Sequence, residues 1–441
     1  MWRRELAAAR WTRRLGVPAW MIAAATARRA AGDWRGACAA ANVDVELDPS
    51  VVVGTVEDDL RHLVPDLLRW HLDPAVPVTV LSHHGAQALY VRRRSFERLA
   101  LRYGPVPPDA LRGSLVYSRE LWDSRHTAAL GARSGGAASR VPFLDADGSR
   151  LPPERWGFAE QVITLQDAGD WAGAWRLAGF DPGPRLPRPS VGDPARWTWR
   201  LSLTGLRAAV GPLPADIGSV LARVPAALVE RPVDADLVRL GMLPVSALHP
   251  LVGAALFPGL STMPPVPAPG TGPVRVRRDG AWRFAEPGDL GWHDPLAALP
   301  KALRLRRDTV VRLARHGDAP ALSAWLAAGG DPYFRDPARR TMLHLLAAMP
   351  AGRAEAAEAV ETLLLELLAA GLDLEARDGA GMTPLLYGIA HDGPVSTIRA
   401  LVTMGADVRA VTFGGAGWAD LARTAGLRSL LRSLLRSFMR E

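Results

Sequence analysis

Asp378-Gly-Ala-Gly-Met-Thr383-Pro384-Leu385 opens an apolar run that closes on Gly405-Ala406-Asp407. The same phrase stands upstream as Asp336-Pro-Ala-Arg-Arg-Thr341-Met342-Leu343-His344-Leu-Leu-Ala347, closing on Leu367-Leu368-Ala-Ala-Gly371-Leu-Asp373. Two copies in one register mark an internal repeat, and each copy reads as a turn followed by two helices. Thr383 stands where a hydroxyl accepts from an orphan N–H of the first helical turn. Pro384 follows at the first helical position, where its missing N–H costs nothing; Met342 takes that place upstream. Gly371 and Gly405 end the second helices, because a residue without Cβ takes the left-handed conformation freely.

These residues resemble an ankyrin repeat, a unit of about 33 residues built as a turn and two antiparallel helices. The step from Asp336 to Asp378 is 42 residues, and the excess falls at Ala351–Ala359, where it lengthens the connection between the helices. Weaker copies flank the pair. Upstream, Ala314-Arg-His-Gly317-Asp318 and Leu322-Ser-Ala-Trp325-Leu326-Ala-Ala-Gly329-Gly-Asp331 keep the second half of the pattern, and downstream Gly415-Ala-Gly417-Trp418-Ala-Asp420-Leu421-Ala422 runs into Leu427–Leu435. The expected fold is therefore mainly α: mixed α+β modules at 1–150 and 151–300, then an ankyrin-repeat α-solenoid of about four units at 303–441.

The resemblance covers about a third of the chain. It implies protein binding through turn tips and inner helices, with no chemistry attached to the repeat itself. The tips would carry Phe334, Arg335, Arg339, Arg377, Arg409 and Phe413, while Tyr387 and His391 lie on or just beyond an inner helix. Arginine and aromatic groups are the types enriched at interface hot spots.

Composition bounds the rest. The 48% hydrophobic and 22% charged content of the 441 residues is that of a globular chain with room for two or three domains. Lys301 is the only lysine and Asn42 the only asparagine, a bias of the kind a GC-rich bacterial genome imposes. The formal charge of +8 is spread: residues 1–150 carry +5, 151–300 carry 0 and 301–441 carry +3. The densest basic clusters are Arg92-Arg93-Arg94 with Arg98 and Arg102, read as a hairpin edge or solvated helix face, and Arg428, Arg432, Arg436 and Arg440 on a final amphipathic helix. A single cysteine, Cys38, excludes an intrachain disulfide and a zinc site of several thiolates. Thr12-Arg13-Arg14 before the apolar Val17–Ala27 faintly matches a twin-arginine signal. That segment also belongs to an internal repeat, so a cytoplasmic location without a membrane span is expected.

Ala31-Gly32-Asp33-Trp34-Arg-Gly36-Ala37 through Asp44 returns as Ala168-Gly169-Asp170-Trp171-Ala-Gly173-Ala174 through Asp181, eight of fourteen positions agreeing at a constant offset of 137. The pattern predicts a helical hairpin in a duplicated module, with Asp capping the second helix. Val76–Leu81 with Ala88–Arg92, and Val274–Arg278 with Trp282–Phe284, read as strand pairs. Asp279-Gly280 supplies a two-residue turn for the second pair. Trp197–Leu203 alternates as a strand, and Pro182–Pro194 and Pro258–Pro273 read as linkers.

Residues that could carry chemistry are thin. One lysine outside any glycine-rich loop excludes the phosphate-binding P-loop and the kinase strand lysine. His62, His71, His83 and His84 with Asp58, Asp59, Asp66 and Asp73 could supply metal ligands, but adjacent histidines at a turn project differently and no two of the histidines are spaced i, i+4. Asp145-Ala-Asp147-Gly148 lacks the closing ligands of a calcium loop and reads as a turn. Trp122-Asp123-Ser124-Arg125-His126 holds triad residue types as sequence neighbours, whereas triad members are neighbours in space. No cofactor or metal is expected. The favoured function is a non-catalytic interaction or scaffold protein. An enzyme in residues 1–300 regulated by the repeats, and nucleic-acid binding through Arg92–Arg102, stand as alternatives, nucleic acid being the less expected partner.

Overall fold

The computed structural model describes residues 6–7, 9–10, 12–13, 16–72, 76–94, 98–105, 117–133, 140–182, 201–204, 207–210, 228, 233–260, 262–263, 269–350, 356–391 and 393–424. The chain divides into two units, Met1–Val266 and Pro267–Glu441, so the boundary expected at 150 falls inside the first of them.

In the first unit, helices α1 (Ala19–Ala30) and α2 (Trp34–Ala40) form a hairpin. The Asp33 carboxylate accepts from Gly36 N at 2.7 Å and so caps α2. A Cβ at position 36 would overlap that carboxylate, so the cap requires the glycine. Strand β1 (Val43–Glu46) follows, then helices α3 (Gly54–His62) and α4 (Pro65–His71), then strands β2 (Val78–His84), β3 (Gln87–Arg93) and β4 (Leu99–Gly104). The sheet order is β1-β4-β3-β2, with β1 parallel to β4 and the other pairs antiparallel. Buried Arg69 of α4 donates to the carbonyls of Ala41 and Asn42 at 2.9 and 3.0 Å and ties the end of the hairpin to the start of β1.

The second copy repeats the helical hairpin and the parallel strand that follows it. Helices α5 (Phe158–Asp167) and α6 (Trp171–Leu177) form its hairpin, and Asp170 accepts from Gly173 N at 2.8 Å. Strand β5 (Asp181–Pro182) then pairs parallel with β7 (Arg207–Val210), which runs antiparallel to β6 (Leu201–Thr204). In both copies the strand after the hairpin lies parallel to the last strand of its sheet. Of the predicted strand Trp197–Leu203 and linker Pro182–Pro194, the residues 183–200 lie outside the described ones.

Helices α7 (Val233–Arg239) and α8 (Pro250–Leu256) complete the first core, where Leu237, Val252 and Phe257 join Leu67, Trp70, Leu89 and Trp122. A polar cluster is buried with them. Arg13 Nε donates to Asp234 Oδ1 at 3.0 Å, and Trp70 Nε1 donates to the same oxygen at 3.1 Å. Arg13 also donates to His71 Nδ1 at 3.4 Å. His249 accepts from Leu251 N on Nδ1 at 3.2 Å, which leaves its Nε2–H to donate to Asp66 at 3.1 Å. Burial works to raise the Asp234 pKa, but the Arg13 charge, the neighbouring His71 and the hydrogen bonds from Arg13 and Trp70 together outweigh it and hold the carboxyl below its usual value.

In the second unit, strands β8 (Val274–Arg278) and β9 (Ala281–Ala285) form a hairpin. Asp279 and Gly280 turn it with φ of 50° and 80°, the pair of positive φ values that a two-residue turn matched to strand twist demands. Among the described residues, seven α-helices follow: α9 (Lys301–His316), α10 (Ala319–Ala327), α11 (Met342–Ala347), α12 (Ala356–Ala369), α13 (Pro384–Ala390), α14 (Val395–Thr403) and α15 (Trp418–Thr424). Helix α11 packs on α9 and α13, α13 on α15, and α12 on α10 and α14. Their shared core holds Trp325, Phe334, Leu343, Leu346, Leu364, Leu385, Ile389 and Leu401.

The expected fold class needs correction. The chain is not mainly α with a four-unit solenoid: a mixed four-stranded sheet, a three-stranded sheet and a β-hairpin stand among separate helices. Turn, helix and helix follow one another in the described residues at 331–369 and 373–403 only. The helix pair α9/α10 is preceded by the β8–β9 hairpin and loop, and the expected arginine-lined helix at 428–440 lies outside the described residues, as do 351–355. The strand content was underweighted because β1 and β4 acquire a partner more than fifty residues away, which local periodicity does not register. Among the described residues, no helix is long and apolar enough to cross a membrane.

The buried cluster sets a pH dependence. Burial, with Arg13 nearby, pushes the His71 pKa down to about 3, against the opposing pull of Asp234. The unfolded chain protonates this histidine below about pH 6.5 while the folded chain does not, so stability present above that pH is lost as pH falls towards 3, by up to about 1.4 kcal/mol per pH unit. Calorimetry between about pH 7.5 and pH 5 should show the melting temperature of residues 1–266 falling, with a flatter slope in His71→Leu. An unchanged slope in that variant would remove His71 from the account.

Candidate interaction surface

The two turns of the repeat are built by their aspartates. Asp336 Oδ1 accepts from Ala338 N at 2.9 Å and Arg340 N at 3.0 Å; Asp378 Oδ1 accepts from Ala380 N and Met382 N, both at 2.9 Å. Successive turns then join through backbone: Gly379 N donates to Ala338 O at 2.8 Å, and Phe413 N donates to Ala380 O at 3.2 Å. Thr383 Oγ1 caps α13 by accepting from Leu386 N at 3.3 Å. Thr341 N and Oγ1 both face His344 Nδ1, at 3.2 and 2.8 Å. With Nδ1 accepting, His344 Nε2–H donates to Met382 O of the next turn at 3.0 Å. Burial holds the His344 pKa below the ordinary histidine range, which keeps the ring neutral in that arrangement.

The expected site residues fall into three groups. Phe334 is fully buried, 5.6 Å from the Trp292 ring, and Tyr387 is buried with its hydroxyl accepting from Arg340 at 2.7 Å. Both belong to the core and cannot meet a partner in this conformation. Arg335 and Arg377 act as staples. Arg335 reaches the carbonyls of Arg339 and Arg377 at 3.4 Å each; Arg377 reaches those of Gly381 at 2.8 Å and Val411 at 2.5 Å. Each thus bonds its own turn and the following one, a role legible in the repeated dipeptides Arg335-Asp336 and Arg377-Asp378. Arg339, His391, Arg409 and Phe413 form the exposed group, with Phe413 69% exposed and His391 stacked on Tyr387 at 4.0 Å.

Arg339 has a feature that reading the sequence missed. Its φ is 63°, and the equivalent residue of the next turn, Gly381, has a φ of 78°. The first turn therefore carries an arginine in a left-handed position that suits glycine, at a cost of about 1–2 kcal/mol.

The other candidates from the sequence resolve into structural roles. Arg94 and Arg98 pair with Asp44, and Arg94 and Arg102 with Glu46, so these members of the basic cluster are ion-paired to β1. Asp59 and Asp123 are held by Arg119 and Arg125, and His84 Nε2 lies 3.3 Å from Asp59. This knot brings together residues from the metal and triad candidates, while His71 lies apart in the buried cluster. Among the described residues, no group of three or more His, Cys, Asp or Glu side chains is placed to hold a metal ion. Asp145–Gly148 is a turn, with Gly148 N donating to Asp145 O at 2.9 Å and Asp145 paired to Arg155.

Gly381 shows how tightly the turns seat. A Cβ there would meet Phe413 N and Cγ at 2.5 Å, whereas a Cβ at Gly371, also left-handed at 89°, would have nothing within 4 Å. Gly381→Ala should cost about 1–3 kcal/mol, clearly more than Gly371→Ala, in chemical denaturation. Equal costs would mean the contact with Phe413 yields freely.

No protein-family model matches this chain, and no curated protein is similar to it in sequence.

Proposed function

We propose that residues 331–424 are an ankyrin-like docking surface for a protein partner, used without catalysis, in a cytoplasmic scaffold or regulatory protein. The observation that carries the reading is Arg339: an exposed guanidinium kept at a turn tip in a left-handed conformation that the neighbouring copy gives to glycine. Residues held at a local energetic cost cluster at functional sites. Exposed Arg409 and Phe413, one turn beyond Gly381, supply the same side-chain types, and large apolar side chains left in water mark interaction sites when they group. The ladder of turn-to-turn bonds supports a preorganised surface, which lowers the ordering cost of binding. A cytoplasmic setting accords with the one cysteine, Cys38, whose thiol is free, buried and raised by that burial to about 12.

Two substitutions test this. Arg339→Gly should raise stability by about 0.5–1 kcal/mol, since glycine adopts the left-handed region without a Cβ penalty. The same change combined with Phe413→Ala and Arg409→Glu should abolish capture of the native partner, identified by mass spectrometry against the wild type, with folding intact. Retention of the same partner by the triple variant would rule the surface out.

A further inference from the structure

The outward face of the β8–β9 hairpin sets exposed aromatic rings beside arginines. Val274 and Val276 are buried in the core of the unit, so strand alternation sends Arg275 and Arg277 to the opposite face. The register sets Arg275 across from Phe284 and Arg277 across from Trp282. That face therefore carries two aromatic side chains and two arginines. Trp282 is 59% and Phe284 74% exposed. The Arg275 guanidinium lies over the Trp282 ring at 5.0 Å, and Arg277 Nε reaches only the Gly280 carbonyl at 3.4 Å. Neither arginine has a carboxylate partner among the described residues. Residues 274–285 contain four arginines against Asp279 alone, so the hairpin is complementary to an anionic ligand.

We propose that this face binds single-stranded nucleic acid, the bases stacking on Trp282 and Phe284 and the phosphates meeting Arg275 and Arg277. The geometry favours a single strand over a duplex. Residues two apart on one strand present their rings about 7 Å apart, roughly twice the ~3.4 Å rise per nucleotide of a stacked helix. One base per ring thus requires an extended, unstacked backbone. A duplex buries its base faces and offers only edges in its grooves. Each base has a π-face, so binding is tolerant of sequence. Nucleic acid is the less expected partner because the charge is spread along the chain and tryptophans read as core, whereas Trp282 is exposed beside two arginines; in the Arg92–Arg102 cluster Arg94, Arg98 and Arg102 pair with Asp44 and Glu46. The proposal is independent of the docking surface proposed for the repeat turns.

Fluorescence anisotropy of the full chain with labelled short oligo(dT) and oligo(U), titrated in salt, provides the test. Binding at low salt should fall at least about tenfold in the Trp282→Ala/Phe284→Ala variant, given about 1–3 kcal/mol for each stacked base. Arg275→Gln/Arg277→Gln should weaken binding and flatten the slope of log affinity against log salt by about 1.4, at about 0.7 per phosphate contact on a single strand. Melting temperatures should stay at the wild-type value, because all four side chains face water. The proposal is overturned by absence of oligonucleotide binding at low salt, by equal affinity for duplex of the same sequence, or by affinity indifferent to the aromatic substitutions. Tighter, Trp282-dependent binding of polyglutamate or of anionic phospholipid vesicles would also overturn it and assign the face to an acidic protein or a membrane surface.

Discussion

At five of the described chain reversals, backbone N–H groups are left without a carbonyl, and an aspartate supplies the missing acceptor. Asp33 and Asp170 do so at the two N-terminal hairpins, Asp318 at the start of α10, and Asp336 and Asp378 inside the repeat turns. A buried or half-buried donor without a partner costs about 1–3 kcal/mol, so the carboxylates of the part-buried caps stabilise their reversals most. The helices, strands and exposed tips are positioned by these reversals. The device also selects neighbours: the carboxylate comes so close to the backbone at Gly36 and Gly173 that a Cβ there would overlap it.

In the second unit the turns carry a second layer of bonding. Backbone N–H groups, the staples Arg335 and Arg377, and His344 all bond from one turn to the next. Cationic side chains of this kind are spent on carbonyls inside the protein, whereas Arg339 and Arg409 are presented to water. Arginine type alone therefore does not separate exposed side chains from structural ones. What separates the two kinds is whether a carbonyl of the following turn lies within reach.

Much of the repeat region is legible from local chemistry. The Thr383 cap, the proline after it, the left-handed Gly371 and Gly405 and the Asp279-Gly280 turn depend on interactions within a few residues, so their residue types stand next to one another in the chain. The hairpin duplication is legible for the same reason. The fold class was misread because strand pairing is non-local: Val43 of β1 finds Leu99 of β4, and Arg13 finds Asp234 across 221 positions. Phe334 was placed at a tip by its position beside the turn, yet the Trp292 ring and the apolar core draw it inside. The aromatic face of the β8–β9 hairpin was readable only in part; the turn fixes the register, but which face is outward depends on what Val274 and Val276 pack against.

The linear order of residues thus specifies the reversals, the caps and the two repeated phrases, since each is an exchange of hydrogen bonds over a handful of positions. Folding specifies which arginines are staples and which are exposed, which aromatics are core, and that a parallel strand joins the first sheet. Those outcomes rest on groups distant in the chain meeting in space, where desolvation makes an unpaired charge or donor too costly to leave and a buried ring too favourable to expose.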